Sequence, residues 1–113
     1  MNPKLFGHVL ENFVATELKK LISFSDKRLD LYHFRTQDAQ EVDFVIEKPS
    51  GEVAGIEVKA SESLRADDFK GLKVLKNEVG KEFCVGVILY RGKDVVAFGE
   101  DLYAVPLSAL WNS

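Results

Sequence analysis

Acidic and basic side chains alternate on two segments that a Pro-Ser-Gly turn signal at 49–51 connects. If these three residues form the loop of a hairpin, the numbers of facing residues add up to 100, and Asp43 lies opposite Glu57. Facing like charges cost up to about 1 kcal/mol, which a cation between them offsets. Mg²⁺ takes one or two carboxylates and keeps waters and phosphates as its other ligands. Lys59, further along the strand, would then hold a phosphate or orient a water.

The same alternation also fits a solvated face of a hairpin, on which Glu41 would lie opposite Lys59 as a favourable pair. A two-residue loop would shift the register by one and separate Asp43 from Glu57. The hairpin pattern by itself leaves both interpretations open.

Hydrophobic spacing predicts the elements that position these residues. One helix is expected from Pro3 to about Phe24 and another from Asp67 to Val79, ended by Gly80. Strands are expected over residues 31–36, 41–48, 53–60, 83–90, 95–98 and 102–106, before a helical turn over 107–111. The order of helix, three strands, helix and further strands predicts an α/β fold whose mixed central sheet is flanked by helices.

Three finer predictions concern the strands. Apolar side chains at 42, 44 and 46 are expected to share one face of the second strand. The nearly continuous apolar run 83–90 predicts a central strand buried on both faces, with Cys84 as a small buried side chain. The segment 92–94 is expected to make a hairpin turn into the next strand. His8 and His33 have no metal-ligand spacing, which favours structural or surface roles.

Composition limits the class of protein. The chain has 113 residues, a net charge of −3 and one cysteine, which excludes a disulfide framework and favours a reducing, cytoplasmic compartment. No apolar run approaches the length of a membrane helix, so no membrane partner is expected. The global charge does not predict nucleic-acid binding, which would therefore need a local site.

Asp43, thirteen further residues and then Glu57-Val58-Lys59 resemble the PD-(D/E)XK nuclease signature. Holliday-junction-resolvase-like members add a glutamate on the first helix, and Glu11 matches that position. The ordered segments 7–18, 34–36, 41–46 and 56–61 are similar to one family, the nuclease-like domain of unknown function at the C-terminus of predicted AAA-type ATPases.

The length of the chain and the absence of a Gly-, Ser- or Pro-rich linker predict a single domain over residues 1–113. The resemblance implies that this domain has a restriction-endonuclease-like core and carries out Mg²⁺- or Mn²⁺-dependent hydrolysis of DNA. Asp43 and Glu57 would ligate the ion, with the carbonyl of Val58 as a further ligand. Lys59 would position or activate the attacking water and stabilise the developing phosphate charge. Glu11 would help to hold a water of the outer shell or a second ion.

Two features depart from the family pattern. Val42 stands where the motif has its proline, and no Gly-x-x-x-x-Gly-Lys-Ser/Thr sequence is present. The chain is therefore expected to be the C-terminal portion of a longer ATPase or a stand-alone remnant. The alternative to a nuclease is a catalytically silent interaction or regulatory module of an AAA-type ATPase. Nucleases of this fold often act as dimers, which leaves a homodimer open.

A further set of side chains consists of candidate nucleic-acid contacts. Its members are Arg35, Ser61, Lys70 and Lys73. For each of them a plainer role is open: Arg35 as a partner for Glu41, Ser61 in a turn, and the lysines on a solvated helix face.

Overall fold

A computed structural model describes residues 2–26 and 28–110. The two helices are α1 (Pro3–Phe24) and α2 (Lys70–Val79). The strands are β1 (Asp30–Arg35), β2 (Glu41–Glu47), β3 (Val53–Val58), β4 (Phe83–Tyr90), β5 (Val96–Ala97) and β6 (Leu102–Pro106). Short 3₁₀ turns cover Ala66–Phe69, Gly80–Glu82 and Leu107–Leu110. Within these residues, no helix combines the length and apolar character that crossing a membrane requires.

The strands of the described residues form one mixed sheet in the order β1-β2-β3-β4-β6-β5. The first three strands are antiparallel neighbours, whereas β4 lies parallel to both β3 and β6. The connection from β3 to β4 runs through α2, as a parallel pair requires. The predicted α/β architecture with a mixed central sheet between helices is confirmed.

Each helix covers one face of the sheet. Neighbouring residues of β4 belong to different hydrophobic clusters, with Ile88 in the cluster around α2 and Leu89 in the cluster around α1. Leu72 and Leu75 of α2 are buried in the first cluster, and Val14 of α1 is buried in the second. Because successive strand residues point to opposite faces, the sheet is the middle layer of three.

The prediction that apolar side chains at 42, 44 and 46 share one face of β2 is wrong. Val42 packs in the α2 cluster, whereas Phe44 and Ile46 pack in the α1 cluster. Val42 pairs with Phe34 of β1, and Val45 pairs with Tyr32. The two residues of β2 between these pairs, 43 and 44, therefore face a single residue of β1, His33. This β-bulge reverses the alternation at Asp43.

Two predictions about β4 are also corrected. Cys84 is exposed rather than buried, because the register between β3 and β4 shifts beside it and leaves it as the extra residue of β4. The segment 92–94 does not make a hairpin, since β5 pairs with β6 and not with β4. Both neighbours of β4 are parallel strands, so β5 occupies the edge of the sheet beyond β6.

Most predicted boundaries agree with the structure to within two residues. The exception is the start of the second helix, whose first turn is 3₁₀ over Ala66–Phe69. The third strand ends at Val58, two residues before its predicted end. The closing helical turn is present over Leu107–Leu110, and its predicted last residue, Trp111, lies outside the described residues.

Gly71 lets the first turn of α2 approach the start of β2. A β-carbon at this position would overlap the carbonyl oxygen of Glu41 and lie 3.3 Å from Oε1 of Glu57. The first of these neighbours is backbone and cannot rotate away, so only glycine allows the observed approach. The contact places the N-terminal turn of α2 directly over the carboxylate of Glu57.

We expect Gly71→Ala to lower the free energy of unfolding by about 1–3 kcal/mol, because α2 must move away from β2 to relieve the overlap. The matched control is Gly7→Ala in α1, where a β-carbon has no neighbour within 4 Å. This control should raise the stability by about 0.5–1 kcal/mol through better helix propensity. Urea unfolding measures both changes, and equal effects of the two substitutions would contradict the close approach.

Candidate functional site

The pairing of β2 with β3 ends one residue before Asp43 and Glu57, the acidic pair that the sequence places opposite each other. The ladder runs from Glu47–Val53 to Phe44–Ile56, so the predicted register, in which residue numbers add up to 100, is confirmed. Beyond the last pair, Oδ2 of Asp43 accepts a hydrogen bond of 2.8 Å from the backbone amide of Val58. The Asp43 side chain therefore lies against the end of β3.

Glu57 lies on the face of β3 that α2 covers. The residue is only 6% exposed, and its Oε2 atom is buried without a hydrogen-bond partner. Buried carboxylate oxygens are usually paired, because burying an unpaired polar atom costs free energy. The position is therefore suited to a ligand or a proton that pairs with this oxygen.

An open polar cleft of about 400 Å³ borders Glu57, between the start of β2, the end of β3 and the start of α2. Its charged lining residues are Glu41, Glu57, Lys59, Asp67, Asp68 and Lys70. Lys59 follows the last residue of β3, and its backbone amide donates to the carbonyl of Leu89 at 2.9 Å. The cleft thus brings two predicted site lysines, Lys59 and Lys70, to one buried carboxylate.

Glu11 approaches the site from the face of the sheet that α1 covers. It is half-buried in the middle of α1, and burial followed by the charge of Asp43 raises the pKa of its carboxyl group. His33 and His8 act in the opposite direction on the pKa of Glu11. The structure therefore places Glu11 within electrostatic reach of Asp43, although it does not line the cleft beside Glu57.

The remaining candidates divide into two groups. The Nε atom of Arg35 lies 4.0 Å from Oε2 of Glu41, and the hydroxyl of Ser61 donates to the carbonyl of Ser63 at 2.6 Å. These contacts agree with the plainer roles of ion-pair partner and turn residue, and nucleic-acid contact by these two residues stays a prediction. Lys73 is exposed one turn of α2 beyond Lys70 and does not line the cleft.

Burial has the largest effect on the pKa values of the Asp43 and Glu57 carboxyl groups. Desolvation raises the pKa of Glu57 to about 7, with the negative charge of Asp43 adding to the rise and Lys59 opposing it. Desolvation also raises the pKa of Asp43, while its hydrogen bond from the Val58 amide lowers it. Such shifts are typical of functional sites, and a cation placed between the groups would reverse them.

The donor set fits a hard divalent cation in part. Two neighbouring carboxylates, one of them with an unpaired buried oxygen, match the one or two that Mg²⁺ takes from protein. Among residues 2–26 and 28–110, however, no three histidine, cysteine, aspartate or glutamate side chains converge as a ready metal-binding group. Ligation by the Val58 carbonyl stays a prediction, since the contact that the structure shows is made by the amide of that residue.

The sequence reasoning missed the proximity of His33 to this site. Nδ1 of His33 lies 2.7 Å from the backbone carbonyl oxygen of Asp43. The register that brings them together is set by the β1–β2 turn, where the structure pairs the backbones of Thr36 and Gln40, whose numbers add up to 76. The same sum places His33 opposite Asp43. This closing pair is not visible in the sequence pattern, in which the polar turn covers residues 37–40.

The fold and the site together define a mixed α/β domain with a cleft of carboxylates and lysines at the point where two strands diverge. The model of the family described as domain of unknown function (DUF4143) matches residues 6–110, and the chain belongs to this family. Neither the curated proteins nor the solved structures contain a match to the chain.

We expect the ionisation of Glu57 to destabilise the metal-free fold. The pKa of Glu57 in the folded state, about 7, lies above the ordinary value of 4.5. The free energy of unfolding therefore has its highest value below pH 4.5 and falls as the pH rises from 4.5 to about 7. Relative to Glu57→Gln, which has no charge to bury, the wild type should lose about 3 kcal/mol between about pH 4 and pH 8.

Urea unfolding across this pH range in the presence of a chelator measures the difference. Glu62→Gln removes an exposed carboxylate instead and should leave the pH dependence of the wild type unchanged. A constant difference between the wild type and Glu57→Gln at all pH values would contradict the burial of an ionisable Glu57.

Proposed function

We propose that this domain is a divalent-metal-dependent nuclease of the PD-(D/E)XK type, which hydrolyses phosphodiester bonds of DNA in the cytoplasm. The observation that carries the proposal is the buried carboxylate of Glu57, whose unpaired oxygen lies within electrostatic reach of Asp43 and Lys59. An acid without a partner at this depth is poorly explained as a solvated surface charge. It is well explained as one half of a cation site.

Asp43 and Glu57 would hold Mg²⁺ or Mn²⁺ from two diverging strands. The Val58 amide keeps Oδ2 of Asp43 in place while the lone pairs of the carboxylate that remain are available for a cation. When bound, the ion would act as a Lewis acid toward the phosphate and stabilise the leaving oxygen. Glu11, on the α1 side, would hold a water or a second ion near Asp43.

Lys59 borders the same cleft and would act on the reacting groups. Its ammonium group would orient the attacking water and stabilise the negative charge that develops on the phosphate oxygens. The water oxygen bonds to phosphorus as the bond from phosphorus to one sugar oxygen breaks, and the proton that the water loses is balanced by one that the leaving oxygen gains. Lys70, also at the cleft, would contact a neighbouring phosphate.

The acidic lining also bears on the substrate. Carboxylates outnumber lysines in the cleft, so a polyanion would be repelled until a divalent cation occupies it. We therefore expect DNA binding to depend on the metal, with Arg35, Ser61 and Lys73 as the weakest of the proposed contacts.

A second candidate function is a catalytically silent module that docks on an AAA-type ATPase. Apolar side chains exposed along α1 favour it, because large exposed apolar groups are typical of interaction surfaces. They include Leu5, Val9, Leu21 and Phe24. In this case the nuclease fold would serve assembly, and the charged cleft would be a remnant.

We expect the wild type to bind Mn²⁺ in isothermal titration calorimetry and Asp43→Asn to bind it more than about tenfold more weakly, because the variant loses a charged ligand. The side-chain carbonyl of the variant would still accept from the Val58 amide, which limits structural side effects. Asp67→Asn removes a carboxylate that lines the cleft beside Glu57 and should retain the wild-type affinity. Equal binding by the wild type and Asp43→Asn would exclude the proposed metal site.

Purified protein with Mg²⁺ should cleave labelled plasmid or branched DNA, and Lys59→Ala should reduce the rate by about 100-fold or more, because it removes the charge that stabilises the transition state. The control is Lys81→Ala, which removes an exposed lysine beyond the end of α2. Cleavage that survives in Lys59→Ala would reveal a contaminating nuclease. Metal binding without cleavage would favour the silent module.

A further inference from the structure

His33 contacts the one backbone position at which the alternation of β2 reverses. Its Nδ1 atom lies 2.7 Å from the carbonyl oxygen of Asp43. A carbonyl oxygen only accepts hydrogen bonds, so Nδ1 carries the proton and donates it. The side chain of a β1 residue thus holds the backbone of β2 from across the strand pair.

The contact falls at the bulge between β1 and β2. There, His33 is the single residue of β1 that faces both Asp43 and Phe44. A bulge interrupts the backbone ladder and redirects a side chain. A donor that reaches the carbonyl of the bulged residue supplies a fixed contact where the ladder is irregular.

Asp43 is therefore held at both ends. His33 binds its carbonyl from β1, and the Val58 amide binds its carboxylate from β3 at 2.8 Å. A change in the φ and ψ angles of Asp43 within the bulge would reorient its Cα–Cβ bond and move the carboxylate away from Val58. The direction of the carboxylate consequently depends on the first contact as well as the second.

We propose that His33 is a positioning residue that holds the bulge in the one conformation that directs the Asp43 carboxylate to the end of β3. For metal binding, this inference rests on the function proposed above. For the placement of Asp43 it stands alone, because the Val58 amide reports that placement without a metal.

The experiment compares three substitutions of His33 with a control. His33→Ala removes the donor, and His33→Gln moves the donor one carbon further from the backbone. His33→Asn keeps a donor, because the amide nitrogen of asparagine is bonded to Cγ, just as Nδ1 of histidine is. The control, His8→Ala, removes the other histidine that acts on the pKa of Glu11, and His8 has no hydrogen bond to Asp43.

The first readout is the Val58 amide in nitrogen–proton NMR spectra without metal. His33→Ala and His33→Gln should shift this amide proton upfield and speed its hydrogen exchange, since the bond to Asp43 is weakened. His33→Asn and His8→Ala should leave it close to the wild type. A merely stabilising role of the ring would not be rescued selectively by asparagine.

The second readout is Mn²⁺ affinity, which should fall about tenfold in His33→Ala and His33→Gln and recover in His33→Asn. An unchanged Val58 amide in His33→Gln would overturn the proposal, even if His33→Ala failed to fold. A shifted amide in a protein that binds no Mn²⁺ in any form would support the positioning role and contradict only the metal-dependent function.

Discussion

The hydrogen bond from the Val58 amide to the Asp43 carboxylate lets β2 and β3 diverge at the point where the site forms. Backbone donors at the end of a ladder need an acceptor, and this carboxylate supplies one in place of a strand carbonyl. The gap that opens is bordered by Glu57 and Lys59 and leads into the polar cleft.

The depth of Glu57 explains why this site is costly for the fold. Its carboxylate lies beneath the first turn of α2, which Gly71 allows to approach the β2 backbone more closely than a β-carbon would permit. Close packing removes water from the carboxylate, and the lost hydration raises its pKa. Proteins retain buried charges of this kind where a ligand offsets the cost, so the same packing that weakens the metal-free domain would strengthen the binding of a cation.

Local pattern predicted the hairpin well and the bulge poorly. The register of β2 with β3 followed from one loop length and from where the alternation starts. The bulge at Asp43 interrupts the alternation of side chains along β2 only once. Its only sign in the sequence is the run of three apolar residues at 44–46. His33 was assigned a structural or surface role for lack of ligand spacing, and its contact became visible only with the pairing of β1.

The sequence by itself determined the kinds and order of the elements and the set of acidic and basic residues available for chemistry, because these depend on neighbours along the chain. It left the hairpin register open between two loop lengths, and the structure decided for the three-residue loop. Tertiary structure decided which of those residues meet. It exposed Cys84 through a register shift, carried β5 to the far edge of the sheet and buried Glu57 beneath α2. These outcomes depend on pairing and packing between distant segments, whose energies no local pattern encodes.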